Sequence, residues 1–199
     1  MSHSPLKSSP LHSPPATPVG RDGHPPAPWD KHFMALALEL ARTAAENGDI
    51  PVGAIVVRHR NVSHASRQAE SESAEALPEI IGRGANRRQR DGDPTAHAEI
   101  LALRAAGQFI GQWQLTDCDL YVTLEPCPMC AGALVNARIR RVIFGCPDPK
   151  AGAVETLFCL TQDVRLNHRV LVTSGLCALE ASKLLKEFFA AKRKNGPRK

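Results

Sequence analysis

Apolar residues recur along this chain with two periods, and the places where the period changes mark its elements. Phe33, Ala37, Leu40, Ala41 and Ala44 keep helical spacing. Asp30 stands where an N-cap is expected, and Asn47-Gly48 closes the pattern. Residues 52–57 form a short β-branched run that reads as a strand, and residues 80–84 read as its returning hairpin partner. Between them, residues 58–79 show no strand pattern and read as an inserted loop, with weak helical character over 69–77. Asp93-Pro94 predicts the next helix start, with Asp as N-cap and Pro at the first helical position; Ile100, Leu101 and Leu103 lead on to Gly107. Strands over 120–123 and 141–144 flank a helix over 128–137. A last or edge strand follows at 170–173, then a long amphipathic helix over 176–194. Strands alternating with helices predict an α/β sandwich around a central sheet.

Composition changes this picture mainly at the ends. Eight of the sixteen prolines lie in residues 1–28, a segment that cannot bury enough apolar surface to offset its ordering entropy. The expectation is a Pro/Ser-rich disordered tail over 1–28, one domain over 29–194 and a basic tail over 195–199. Lys and Arg number 25 against 20 acids, and the whole excess of +5 sits in the last twelve residues, which hold five basic side chains and no acid. That suits an anionic partner such as nucleic acid, and equally a solvated end. No run approaches the roughly 20 apolar residues of a membrane helix, and no apolar stretch opens the chain as a secretory signal would. Six cysteines are too few for a disulfide scaffold. They fit a reducing, cytoplasmic setting, where a close Cys pair binds metal or does redox work.

Two short stretches carry chemistry: His97-Ala98-Glu99 and Pro126-Cys127-Pro128-Met129-Cys130. Two thiolates and an imidazole are a donor set that favours zinc. Cys127 and Cys130, spaced i, i+3 at a helix start, face the same way, and the positive helix end favours their deprotonated form. Three good ligands leave a fourth position for water, as in catalytic zinc sites. A fourth protein ligand could come from Cys118, Cys146, His59 or His64, although the two cysteines read better as small buried residues. On a regular helix Glu99 would point away from His97, but near the helix mouth both reach the space in front of the first turn. A carboxylate there can take a proton from metal-activated water. H-x-E alone would be read as a carboxylate supporting a helix end; with P-C-x-x-C thirty residues on, the catalytic reading prevails.

H-x-E…P-C-x-x-C is the signature of the zinc-dependent nucleoside and nucleobase deaminases, and this chain resembles them. Longer matches narrow the resemblance to the bacterial tRNA-specific adenosine deaminases: Pro51-Val52-Gly53-Ala54, residues 94–100, residues 121–127, residues 129–133 and Asn167-His168-Arg169. The resemblance implies a cytidine-deaminase-like three-layer α/β/α sandwich with a central mixed sheet. It implies one zinc ion per subunit on His97, Cys127 and Cys130, with Glu99 shuttling protons during hydrolysis of the wobble adenosine of an arginine tRNA anticodon to inosine and ammonia. Asn86 would contact the flipped base, its alternative being a turn residue in the left-handed region. Val52, Gly53 and Ala54 would line the pocket floor or approach the base with backbone. Asp148 and Lys150 would border the anticodon stem-loop, where Phe189 offers a stacking face and Arg193 a phosphate partner. Arg87, Arg88 and Arg90 form a second basic cluster near the entrance, Phe188 reads as a helix anchor, and the resemblance implies a homodimer.

Three features depart from that pattern: the insertion over 58–79, the proline-rich loop over 146–150 and the proline-rich start. Two other functions share the same metal core. One is a deaminase of free guanine, cytosine or nucleosides, against which the basic tail argues. The other is a non-catalytic zinc-stabilised subunit that binds tRNA, for which Glu99 would have no use.

Overall fold

The computed structural model describes residues 26–59 and 77–195. Residues 1–25, nearly all of the expected insertion and residues 196–199 therefore lie outside the described residues. Helix α1 (Asp30–Glu46) leads into the hairpin β1 (Gly53–Arg58) and β2 (Glu79–Ala85). A short α2 (Arg88–Asp91), α3 (Ala98–Ile110), β3 (Cys118–Leu124), α4 (Pro128–Asn136) and β4 (Arg141–Cys146) follow, then β5 (Leu171–Thr173) and α5 (Ala178–Asn195). The sheet order is β2-β1-β3-β4-β5, antiparallel on both sides of β1 and parallel from β3 to β5. It is a mixed sheet.

Alternation along the strands builds the two cores. Ala54, Val56, Leu120, Val122, Val142 and Phe144 pack with Ala98, Ala102 and Leu134 of α3 and α4. The intervening Ile55, Val57, Tyr121 and Ile143 pack with Phe33, Met34 and Ala37 of α1 and Ala181 of α5. Strands covered on both faces read as continuous apolar runs, which is how they stand out in the sequence. The three-layer α/β/α sandwich follows directly.

Two helix starts differ from expectation. Trp29, not Asp30, occupies the cap position of α1. Asp30 is fully buried in the first turn, where its carboxylate accepts the Tyr121 hydroxyl at 2.6 Å, Arg141 at 2.5 Å and the Ala27 N–H at 2.9 Å. Tertiary partners claim the side chain that local logic assigned to the cap. Likewise α3 is capped by His97, not Asp93; Asp93 instead closes a turn by accepting the Thr95 N–H and hydroxyl, both at 2.7 Å. The hairpin appears as expected, with a bulge opposite Val56 and Val57.

Candidate active site

The sheet gathers the site at one end. Val52 precedes β1, Asn86 follows β2, Glu125 and Cys127 follow β3, and Asp148 follows β4; the strand registers bring these four segments side by side. They line one cavity of about 180 Å³ together with His97, Glu99, Ile50, Arg88, Leu124 and Ala151. Binding outside the carboxyl ends of strands is the usual arrangement in α/β sheets.

His97 and Cys127 each cap a helix, α3 and α4, in an extended backbone conformation. Because His97 lies outside the helix, the regular helical projection does not apply, and Glu99 and His97 line the same cavity. His97 Nδ1 is 3.6 Å from each of Cys127 Sγ and Cys130 Sγ. Tetrahedral zinc with bonds of about 2.3 Å to sulfur and 2.0–2.1 Å to nitrogen places such atoms roughly 3.6 Å apart, so the residues fit the ion. Among the described residues no other His, Cys, Asp or Glu joins the cluster. Cys118 and Cys146 are buried in the core, and His59 is 3.0 Å from Asp119; His64 lies outside the described residues. The site is a three-ligand centre.

Its electrostatics suit that role. A hydrogen bond from Cys130 lowers the Cys127 thiol to about 4 against the opposing effect of burial, with His97 adding to the shift. Cys130, donor to Cys127 and buried, is pushed up, and the bond to Cys127 raises the His97 imidazole. Burial pushes the Glu99 carboxyl up, against its backbone hydrogen bond and the nearby imidazole. A carboxyl shifted upward from its ordinary value is better suited to give as well as take a proton.

The remaining expected residues divide. Asn86 is buried at the cavity wall; its backbone N–H donates to Val52 O at 2.9 Å, and its φ is not positive. Asp49, also buried, accepts the Asn86 amide at 3.4 Å and the backbone N–H groups of Gln89 and Arg90 at 2.7 and 3.0 Å. Of the predicted floor, Val52 lines the cavity but Gly53 and Ala54 do not. A Cβ on Gly53 would stand 2.1 Å from Ala37 O, so this glycine lets α1 close on the sheet, and Ala54 lies in the core beneath α3. Asp148 faces the cavity, whereas Lys150, Phe189 and Arg193 line a neighbouring cleft of about 310 Å³. Phe188 is half-buried and meets Phe189 edge-on at 5.5 Å. His168 donates to Ile139 O at 2.7 Å, and Arg138 donates to Asn167 O at 2.6 Å, so the Asn167-His168 pair ties its loop to the start of β4.

Glu125 belongs to a sequence motif that gives it no task. Its buried carboxylate accepts the N–H groups of Asp148 at 3.0 Å, Val154 at 3.2 Å, Glu155 at 2.7 Å and Thr156 at 2.9 Å, and the Thr156 hydroxyl. Gly152 completes the contact, since a Cβ there would stand 2.3 Å from Glu125 Oε2. One side chain thus fastens the whole loop that carries Asp148 and Lys150. Those donors, four backbone N–H groups and one hydroxyl, lie 23 to 31 residues away, and no sequence spacing points to them.

Three converging ligand atoms that fit a zinc ion, a buried carboxylate lining the same cavity and an amide at its wall are the elements of a metal-dependent hydrolytic centre. Residues 27–146 match the cytidine and deoxycytidylate deaminase zinc-binding region. The tRNA-specific adenosine deaminase of Haemophilus influenzae is 42% identical over 165 residues, 83% of this chain and 86% of that one. A solved structure of a tRNA:A34 deaminase, from work on A-to-I editing at the wobble position, shares 41% identity, covers 77% of this chain and 99% of its own, and superposes with a TM-score of 0.65. Guanine deaminase from Nitrosomonas europaea shares 27% identity over 82% of this chain and 85% of its own, with a TM-score of 0.60. The chain belongs to the cytidine and deoxycytidylate deaminase family, in the branch of the tRNA-specific adenosine deaminases.

Proposed function

We propose that this protein hydrolyses the wobble adenosine of a tRNA anticodon, that of an arginine tRNA, to inosine and ammonia. The observation that carries the reading is the loop after β4, which gives Asp148 to the catalytic cavity and Lys150 to the adjoining cleft with Phe189 and Arg193. One loop can therefore meet both a flipped base and the nucleotides beside it.

His97, Cys127 and Cys130 would hold zinc, which when bound supplies a water made nucleophilic at neutral pH for attack at C6 of adenine. Glu99 would take one proton from the attacking water and hand it to the ring nitrogen, then carry the remaining hydroxyl proton to the amine, so that the C–N bond breaks with release of ammonia. Asn86, steadied by Asp49, offers its amide to the edge of the base, and Val52, Ile50 and Leu124 give the cavity apolar walls. Phe189 provides a stacking face for a neighbouring base, while Lys150 and Arg193 meet phosphates.

The cysteines are free, in keeping with a cytoplasmic enzyme. No helix among the described residues is long and apolar enough to cross a membrane. A homodimer is supported by the largely apolar depression between α3 and α4, where Ile100, Leu103, Trp113, Ala133 and Ala137 stand beside Arg104 and Asn136, with Trp113 64% exposed.

The test compares zinc-loaded protein with Glu99→Gln on an arginine anticodon stem-loop bearing a wobble adenosine, and on free adenosine, guanine and cytosine, reading products by mass. Inosine in the stem-loop from the wild type alone is the expected result. Turnover of a free base without the stem-loop would replace the substrate. A stem-loop that is bound but unchanged by fully metallated wild type would turn the protein into a binding subunit.

A further inference from the structure

Outside the catalytic cavity the described residues form a further concave surface of about 460 Å³, whose lining includes Arg83, Arg87, Arg90, Leu101, Arg104 and Gln108. Three elements contribute to it: the edge strand β2, the short helix α2 and the face of α3 on which 101, 104, 105 and 108 recur at helical spacing. Four arginines converge there. Arg87 and Arg90 stand 3.1 and 3.8 Å from the same carboxylate, Asp91, and Arg104 feels Asp93, so four cations face two acids and the cleft keeps a positive excess. Arg83, Arg90 and Arg104 are exposed.

The segment Asn86–Arg90 joins this cleft to the catalytic cavity. Asn86 and Arg88 line the cavity, while Arg87 and Arg90 line the cleft. Asp49 holds the segment in that shape by accepting the N–H groups of Gln89 and Arg90. A polyanion whose reacting residue sits in the cavity would therefore find guanidinium groups continuing along a second side, away from Lys150 and Arg193.

We propose that this arginine cleft binds the phosphodiester backbone of the substrate RNA beyond the deaminated nucleotide. Arg83 and Arg90 act as phosphate partners, and the strand passes over the Asn86–Arg90 segment. The proposal rests on the wobble-deaminase reading above and adds a second contact surface to it. Guanidinium forks suit phosphate, and such contacts give affinity and position without reading base identity.

The experiment uses the full zinc-loaded chain and its Arg83→Gln and Arg90→Gln variants, single and combined, with Arg165→Gln matching the charge loss of each single variant on an exposed residue already paired with Asp163. Binding of the anticodon stem-loop is measured across a salt series, beside metal content and sedimentation. Removing one phosphate partner lowers the slope of log K against log salt by about 0.7–0.9, so the double variant is expected to fall by about 1.5 in slope, with a raised KM. An oligonucleotide trimmed to the loop nucleotides is expected to show a smaller difference between wild type and double variant. An unchanged slope, or an equal change in Arg165→Gln, overturns the cleft. If wild type neither binds nor deaminates the stem-loop, the underlying reading fails instead, and the two failures are distinguished by that first measurement. Binding of a non-nucleic polyanion such as heparin with no loss of RNA affinity in the double variant would also overturn it, in favour of an acidic protein partner.

Discussion

Glu99 and Glu125 are both buried carboxylates, and their surroundings set them to opposite tasks. Burial pushes the Glu99 carboxyl up, which suits proton transfer. Burial also acts to raise Glu125, but the Thr156 hydroxyl and the N–H groups of Glu155, Thr156 and Asp148 outweigh it and hold the carboxyl below 4.5. Glu125 is therefore an ionised anchor for the loop after β4. Glu125→Gln loses the charge and turns an amide N–H₂ toward backbone donors, so it is expected to cost about 1–3 kcal/mol of stability in denaturant titrations. The sign of its pH dependence follows from the lowered value: Glu125 contributes stability above 4.5, and that contribution is lost as pH falls through the folded value. The stability gap between wild type and Glu125→Gln should thus narrow on acidification below 4.5; a gap that widens would refute the ionised anchor. Cys127→Ala removes one of three ligands and is expected to abolish stoichiometric zinc, read by atomic absorption; full metallation would reject the ligand set.

At the scale of elements, the approach of α3 to β2 positions the chemistry. A Cβ on Gly84 would stand 2.0 Å from Ala98 O, and one on Gly82 would stand 2.3 Å from Ala102 O, so only glycines let the helix lie this close. Gly84→Ala must push back the first turn of α3, which carries His97 at its cap and Glu99 within it. Overpacking of this kind costs about 1–3 kcal/mol, and the expected result is a lower melting temperature together with weaker zinc retention against a chelator. A variant that melts lower but keeps wild-type zinc affinity would mean that the helix start does not transmit the shift. The helices and strands themselves were legible, because α1 buries one regular face and shows it as a helical period, while β1, β3 and β4 are buried on both faces and show it as short apolar runs. The starts of α1 and α3 were not: the Asp30 side chain is taken by Tyr121 and Arg141, and the Asp93 side chain by its own turn at Thr95. Competition for a side chain is invisible until both competitors are placed.

At the scale of the whole molecule, the exposed Trp113 and the depression beside it predict self-association. Trp113→Glu is expected to shift the sedimenting species from dimer to monomer; a wild type that sediments as a monomer would remove the dimer from the reading. The residues that converge as His97, Cys127 and Cys130, with Glu99 lining the same cavity, stood out one at a time, since H-x-E and P-C-x-x-C carry their chemistry in residue type and short spacing. Helical periods and short apolar runs likewise carried the layered α/β class, because the first reflects one buried face and the second a strand covered on both. The roles of Glu125 and Asp49, the removal of Gly53 and Ala54 from the cavity wall, and the division between Asp148 and Lys150 came only with the folded chain. Each depends on which distant backbone donors, helices or guanidinium groups the sheet order brings alongside, and a one-dimensional spacing does not encode those neighbours.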